Sequence, residues 1–339
     1  MWIFTLLKSK DYLGSKVGFT INSNDSHQTV FGGILSLLLT SLYLYFFIIF
    51  SEDMIYKANP VGFDQLKPNE GGNKELNLSK TFLTGYKISN WNEDALNINE
   101  YFYPIFQYHE WIKNNKTEEW KETITPLETI TCDNLNNTHF KGQHNFSHFI
   151  CPDLAKVKNK TIYGSFSDSE AKYISFRLSI IDKENTECKD LSKTERFLDE
   201  NEIYISMIFP KIDYFIDNVD DPFEVKIFSE FIPISNDQFV IEEIMFQNNE
   251  LVEDKGYLFE DLITHNYNAV FYNNKISSPK NRKKVGEVCK NPKSPKLNRD
   301  PNYYITEIYY SSNKKYHFRQ YLKIPDIFAN VGGMMDFIS

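Results

Sequence analysis

Three histidines lie close to two cysteines in the middle of the chain, and these side chains are the ones best suited to chemistry. The histidines are His139, His144 and His148, and the cysteines are Cys132 and Cys151. Imidazole and thiolate groups are the usual ligands of zinc. Their spacing matches none of the common zinc patterns, however, and a disulfide is the better use of the two cysteines. We therefore expect no metal and no other cofactor.

Adjacent carboxylates occur at Glu242-Glu243 and at Asp220-Asp221. Neighbouring residues of a strand point to opposite faces, so such a pair cannot act on one substrate. We interpret both pairs as solvated surface groups. The sequence also has no glycine-rich phosphate loop, no HExxH and no nucleophile elbow. It therefore predicts a protein that is not an enzyme and has no catalytic residues.

A long uncharged segment near the N-terminus predicts a transmembrane helix. No charged side chain lies between Gln28 and Ser51, and residues 29–50 are almost wholly apolar. A helix of this length spans a hydrocarbon core about 30 Å thick, because each residue adds about 1.5 Å. The segment is longer than the core of a signal peptide, which has about 7–15 residues, so we expect it to be retained.

The charges that flank this segment indicate its orientation. Basic residues precede it and acidic residues follow it at once: Lys8, Lys10 and Lys16, then Glu52 and Asp53. The lysines place residues 1–28 in the cytosol as a short N-terminal arm. Residues 51–323 then form a lumenal or extracellular domain, either in the secretory pathway (ER or Golgi) or at the cell surface.

The chain ends on a second apolar segment, residues 324–339, which is too short to span a bilayer as it stands. Gly332-Gly333 in this segment matches Gly32-Gly33 at the start of the first helix. Small residues of this kind let membrane helices approach closely. We interpret 324–339 as the start of a second membrane segment, and the alternative is a segment that lies on the membrane surface.

The outer domain is rich in strand patterns. Apolar and polar residues alternate at 174–180 and at 223–227, and a run at 203–209 is expected to end at Pro210. A hairpin is predicted about Ser311-Ser312-Asn313-Lys314, between strands at 303–310 and 316–321. One short helix is expected at 192–200, with Ser192 and Glu195 as a capping box. The predicted fold class is mainly β, a sandwich-like antiparallel domain with a transmembrane helix.

All four cysteines, Cys132, Cys151, Cys188 and Cys289, follow the membrane segment. An even number on one side of a membrane indicates two disulfides in an oxidising compartment. Four cysteines allow three pairings, of which we favour Cys132–Cys151 and Cys188–Cys289. The alternative is four buried free thiols.

Sequons and charge indicate how the outer domain is modified and which partners it can bind. Five sequons predict a glycoprotein, at Asn77, Asn115, Asn136, Asn145 and Asn159. The net charge of -9 argues against nucleic acid as a partner, because phosphate binding needs a basic face. Residues 275–299 form a basic, proline-containing stretch, which we interpret as a solvated loop. The alternative is a contact for an acidic partner.

Two ends of the chain resemble known membrane proteins. Asp11-Tyr12, Phe19 and the run from Thr29 through Gly32-Gly33 to Leu37 resemble the start of the first span in the ER–Golgi intermediate compartment (ERGIC/Erv) family. Val331-Gly332-Gly333 resembles the start of that family's second span. The chain is also similar to uncharacterised two-span membrane proteins of ciliated protozoa, through Ile162-Tyr163-Gly164, the region of Cys188, and residues 320–326. These resemblances imply a two-span topology with a β-rich lumenal domain, although the ERGIC Cys-x-x-Cys is absent.

The expected function is therefore that of a non-enzymatic integral membrane protein. Its partners are the lipid bilayer and another membrane or lumenal protein, which the outer domain binds as a trafficking receptor or surface component. The alternative is a subunit of a two-span ion channel, because such channels share this topology. Polar residues of the spans would then line the pore: Thr40, Ser41, Tyr43, Tyr45 and Asp336.

Overall fold

The computed structural model describes residues 16–21, 24–26, 29–68, 75–78, 84–90, 98–113, 119–132, 146, 148–154, 161–164, 169–182, 184, 187–218, 220, 222–280, 285, 287, 289 and 301–338. This part of the chain is mainly β, as the sequence predicted. Most of its strands belong to two large sheets, and an apolar helix precedes them.

Helix α1 runs over Val30–Tyr56 and so continues beyond the predicted end at residue 50. The hydroxyl of Thr29 caps its start by accepting a hydrogen bond from the backbone N–H of Gly32 at 2.9 Å. Lys57 ends it in a left-handed conformation. Only 11% of the most apolar 18-residue stretch of α1 is buried in the protein, so α1 is not a helix of the hydrophobic core. By length and composition, α1 can cross a membrane.

The other elements follow in chain order. The strands are β1 Lys16–Ile21, β2 Asn24–Ser26, β3 Val61–Pro68, β4 Leu76–Asn77, β5 Gly85–Asn90, β6 Tyr103–Lys113, β7 Trp120–Leu127, β8 Thr129–Thr131, β9 Ile150–Pro152, β10 Thr161–Ile162, β11 Glu170–Ser179, β12 Ile203–Tyr214, β13 Phe223–Ile234, β14 Gln238–Asp254, β15 Leu262–Pro279 and β16 Asn302–Gln320. Helix α2 is Leu191–Glu200, helix α3 is Ile324–Ile338, and a 3-10 turn lies at Ile98–Glu100.

The two large sheets pack face to face. Seven strands form one sheet in the order β15-β14-β16-β11-β6-β7, with β3 also on β16, and five form the other in the order β13-β12-β5-β9-β8. All their described pairs are antiparallel except β14 with β16, which is parallel. The ring of Tyr86 on β5 stacks on that of Phe176 on β11 at 4.0 Å and joins the two layers.

Strand β16 is one continuous strand of 19 residues, so the hairpin predicted at 311–314 is wrong. Its first half pairs with β11 and its second half with β3, while β14 runs along its other edge. The register with β14 moves from Phe246–Tyr310 to Asn248–Lys314, so the polar residues between them form a bulge. The residues predicted to form a turn therefore form a bulge within one strand. The chain stays extended because β14 pairs with β16 both before and after the bulge.

Two smaller predictions also fail. Strand β12 continues through Pro210, because its pairing with β5 ends at Ile208 and a proline is tolerated where a strand has one described neighbour. Helix α2 forms where expected, but its N-cap is Asp190 rather than Ser192. The Asp190 carboxylate accepts hydrogen bonds from the backbone N–H groups of Ser192 and Lys193 at 2.9 and 3.2 Å.

Helices α1 and α3 leave the domain from the same end. Strand β3 follows α1, strand β16 precedes α3, and these two strands pair antiparallel along the second half of β16. The rings of Phe47 and Phe328 lie 5.7 Å apart, so the two helices pack together near that end. A Cβ added at Gly332 or Gly333 would meet nothing within 4 Å, so this glycine pair does not bring described helices into close contact.

Candidate functional site

The candidate site lies at the end of the large sheet from which α1 and α3 emerge. Because β14 and β16 are parallel, they end side by side, with Glu253 opposite Arg319 and Asp254 opposite Gln320. We call the charged residues gathered here the basal junction: Glu253, Asp254, Lys255, His265, Arg319 and Lys323. Helix α3 begins directly after it.

The centre of the basal junction is a fully buried ion pair between Arg319 and Glu253. The Nε of Arg319 donates to Glu253 Oε1 at 2.9 Å, and its Nη2 donates to the same oxygen. Its Nη1 donates to the backbone carbonyls of Ile216 at 3.0 Å and Asn218 at 2.5 Å. Those carbonyls belong to the turn between β12 and β13, so one guanidinium group ties the five-stranded sheet to the seven-stranded sheet.

Three further donor groups surround the carboxylate of Glu253. The hydroxyl of Tyr321 donates to its Oε1 at 3.2 Å, and Lys255 Nζ and His265 Nε2 lie 3.2 and 3.3 Å from its Oε2. Burial alone would raise the pKa of Glu253, but the hydrogen bonds and charges of Arg319 and Lys255 outweigh it and hold that pKa below its usual range. The carboxylate is therefore ionised, and its charge is compensated on several sides.

A second ion pair links the junction to α3. Lys323 Nζ lies 2.6 Å from Asp254 Oδ2, and the backbone N–H of Lys323 donates to Asp326 Oδ2 at 2.9 Å, at the start of the helix. Burial would raise the pKa of Asp254, but Lys323 and the backbone N–H groups of Asp261 and Gly256 lower it. The segment from β16 into α3 is thus fixed by charge and hydrogen bonds on both sides of Lys323.

A separate buried polar group lies between the two sheets. Glu242 on β14 is fully buried and accepts a hydrogen bond from the hydroxyl of Tyr304 on β16. The Tyr304 hydroxyl also lies 3.7 Å from the sulfur of Met207 on β12, and Asn273 on β15 donates to Glu230 on β13 at 2.6 Å. Burial raises the pKa of Glu242 to about 7, although the hydrogen bond from Tyr304 opposes it. The prediction that this acidic pair is a solvated surface feature is wrong for Glu242.

On the outer face of the large sheet, His109 links Glu122 and Ser175 by hydrogen bonds; we call these three residues the histidine relay. The Nδ1 of His109 lies 2.8 Å from Glu122 Oε1, and its Nε2 lies 2.8 Å from Ser175 Oγ. Burial lowers the pKa of His109, so the ring is neutral at pH 7 and its Nδ1–H donates to the carboxylate while Nε2 accepts from Ser175. These three residue types occur in hydrolase triads. Ser175 Oγ is fully buried in the middle of a strand, however, so no substrate reaches it and the relay joins three strands instead.

The structure brings the cysteines together in the two pairs that we favoured. The Cα atoms of Cys132 and Cys151 lie 5.2 Å apart and those of Cys188 and Cys289 5.5 Å apart, both within the range of disulfides. Such disulfides are typical of an oxidising compartment. Of the three histidines near the first pair, only His148 lies in the described residues, where it is exposed. Within those residues, no group of His, Cys, Asp or Glu is placed to hold a metal ion.

The other predicted positions are partly outside the described residues. Asn77 is exposed in β4, whereas Asn115, Asn136, Asn145 and Asn159 lie outside. The interpretation of the basic stretch as a loop is wrong for residues 275–279, which belong to β15 because they pair with β14. Lys275 is exposed on β15 and Lys280 lies over the ring of Tyr303, while most of 281–299 lies outside the described residues.

Two polar residues of α1, Thr40 and Ser41, are engaged within the helix. Thr40 Oγ1 donates to the carbonyl of Ser36 at 2.8 Å, and Ser41 Oγ donates to that of Leu37 at 2.9 Å. Hydroxyl groups satisfied in this way are compatible with a lipid environment. Asp336 lies on α3, but its side chain is outside the described part of the structure.

Fold and site define a β-rich, disulfide-bonded protein whose described residues include one helix of membrane-crossing length, with a buried charged junction at the end of the sheet nearest that helix. Residues 85–290, more than half of the chain, match the family described as the uncharacterised 80 kDa protein N-terminal domain. The chain belongs to this family. No curated protein matches it.

Proposed function

We propose that this chain is a non-enzymatic integral membrane protein whose β-rich domain lies outside the cytosol and binds a protein partner, as a trafficking receptor or surface component. The observation that carries the proposal is the pairing of β3 with β16, the strands that continue into α1 and α3. This pairing directs both apolar helices away from one end of the domain. The opposite parts of the sheets are then free to meet a partner.

Strand β7 is the surface that we propose for the partner. It is the last strand of the large sheet in the described part of the chain, and Trp120 and Ile124 are exposed on it. An edge strand offers backbone hydrogen bonds to an added strand, and exposed tryptophan is frequent at the centres of interfaces. We favour this role over an ion channel because the hydroxyls of Thr40 and Ser41 are engaged within their own helix.

Protease treatment of cells tests the topology. Full-length chain with an N-terminal tag is expressed, and protease is added to intact cells, to cells in which only the plasma membrane is permeabilised, and to cells in which all membranes are permeabilised. We expect the tag to be cut only after permeabilisation and the β domain never to be cut from the cytosolic side. Cutting of the domain in intact cells would place it at the cell surface, and cutting only after the internal membranes are also permeabilised would place it in their lumen. Cutting of the domain when only the plasma membrane is permeabilised would place it in the cytosol and contradict the proposal. Cutting of the tag in intact cells would contradict the orientation.

Site-specific photo-crosslinking tests the partner surface. A photoreactive residue replaces Ile124 on β7 in the full chain, and a matched variant carries it at Phe231 on β13, which is similarly exposed, 53% against 45%. We expect a crosslinked product of defined mass from position 124 and none from position 231, because β7 is the proposed docking edge. Absence of a product at position 124, or equal products at both positions, would contradict the assignment of this edge.

A further inference from the structure

The turn between β14 and β15 exposes three apolar side chains in succession. Tyr257, Leu258 and Phe259 are 47%, 50% and 80% exposed. We call residues 255–261 the basal loop, since it follows the basal junction directly. Exposing three consecutive large apolar groups to water is unfavourable, so such a loop indicates a contact with an apolar phase.

The basal loop has a fixed shape. The backbone N–H of Lys255 donates to the carbonyl of Asp261 at 2.9 Å, and the carboxylate of Asp254 accepts from the N–H groups of Gly256 and Asp261 at 3.2 and 3.0 Å. A Cβ at Gly256 would lie 1.8 Å from the carbonyl oxygen of Phe259, so a larger residue would force the turn to rearrange. The three apolar side chains are therefore held outward by a closed turn.

The loop lies where both apolar helices meet the domain. The backbone N–H of Ile324, the first residue of α3, donates to the carbonyl of Tyr257 at 2.9 Å. Lys57, which ends α1, has its Nζ 5.6 Å from the centre of the Tyr257 ring. A bilayer that receives α1 would have its surface at this level.

We propose that the basal loop inserts into the interfacial region of the bilayer on the side of the β domain. This inference rests on the proposed membrane-spanning role of α1. Tyrosine and phenylalanine are well suited to the boundary between headgroups and acyl chains, where an apolar ring is buried to a depth of about 5–10 Å. Glu260, which is exposed, directly follows the apolar residues, and its charge keeps the loop at the interface. The β domain thus contacts the bilayer through the basal loop, and the basal junction links this loop to the two helices.

Quenching of tryptophan fluorescence by brominated lipids tests this proposal on the full chain in lipid nanodiscs. Phe259→Trp reports on the loop, and Tyr45→Trp reports on the middle of α1. Phe271→Trp is the matched control, because Phe271 is exposed on β15 and lies about 30 Å from the start of that strand. Emission of the unsubstituted chain, which has four tryptophans, is subtracted from each variant.

We expect lipid brominated near the headgroup to reduce the added emission of Phe259→Trp about twofold and to leave that of Phe271→Trp unchanged. Lipid brominated near the chain ends should quench Tyr45→Trp. Quenching of Tyr45→Trp without quenching of Phe259→Trp would overturn the loop proposal and leave the spanning helix intact. If Tyr45→Trp is not quenched, the spanning role fails and the loop proposal fails with it. Equal quenching at positions 259 and 271 would also overturn it, because the loop would not be the specific contact.

Discussion

Replacing Arg319 with methionine is expected to lower the free energy of unfolding by about 3–5 kcal/mol, because it leaves a buried carboxylate without its main partner. Methionine fills a similar volume but provides no donor, so Glu253 and the carbonyls of Ile216 and Asn218 all lose hydrogen bonds. Lys255 and His265 remain beside Glu253, and they compensate only part of the loss. Arg319→Lys should be intermediate, since an ammonium group cannot reach all of these acceptors at once.

The midpoint of thermal unfolding of the full chain in detergent measures this effect. The double variant Arg319→Met with Glu253→Met should be less destabilised than the sum of the single variants, because neither charge is left buried alone. Lys226→Met is a matched control, since Lys226 pairs with Asp213 and Glu224 on the exposed surface and should change the midpoint little. Equal shifts for Arg319→Met and Lys226→Met would show that the buried pair has no special role.

The contribution of Glu242 to the stability of the domain is expected to fall by about 3 kcal/mol as the pH rises from about 4.5 to about 7. The pKa of this carboxyl is raised to about 7 in the folded protein, against an ordinary value of 4.5. Between these values the folded chain keeps a proton that the unfolded chain has released, so each step up in pH favours unfolding. Above about pH 7 both states are ionised and the contribution becomes constant.

Unfolding midpoints of the full chain across this pH range test the assignment. Glu242→Gln should remove the fall, because the amide keeps the shape and the acceptor for Tyr304 without a titrating group. Glu243→Gln is the control, since Glu243 lies on the opposite face of the same strand and is only partly buried. A pH dependence that is the same in Glu242→Gln and in the natural chain would assign the fall to other groups.

The sequence alone determined the elements whose signals are local. The apolar helix could be recognised because a run without charge is sufficient to predict it, and α1 forms there. Strands β11 and β13 could be recognised because alternation has a period of two, and the short helix α2 was expected almost where it forms. The favoured cysteine pairing also agrees with the structure, although spacing left three possibilities open.

The tertiary structure decided everything that depends on which strands become neighbours. The run at 311–314 has the composition of a turn, but the residues before and after it both pair with β14 and keep it within one strand, and only the pairing of strands distant in sequence reveals this. The basal junction could not be predicted either, since Glu253 and Arg319 are 66 residues apart and meet only because β14 and β16 are parallel. A partial signal existed for Glu242, which shares the parity of the buried Val240 and Ile244. Burial is a property of the packed sheets, so the sequence could place Glu242 on a face but could not say that this face would be covered.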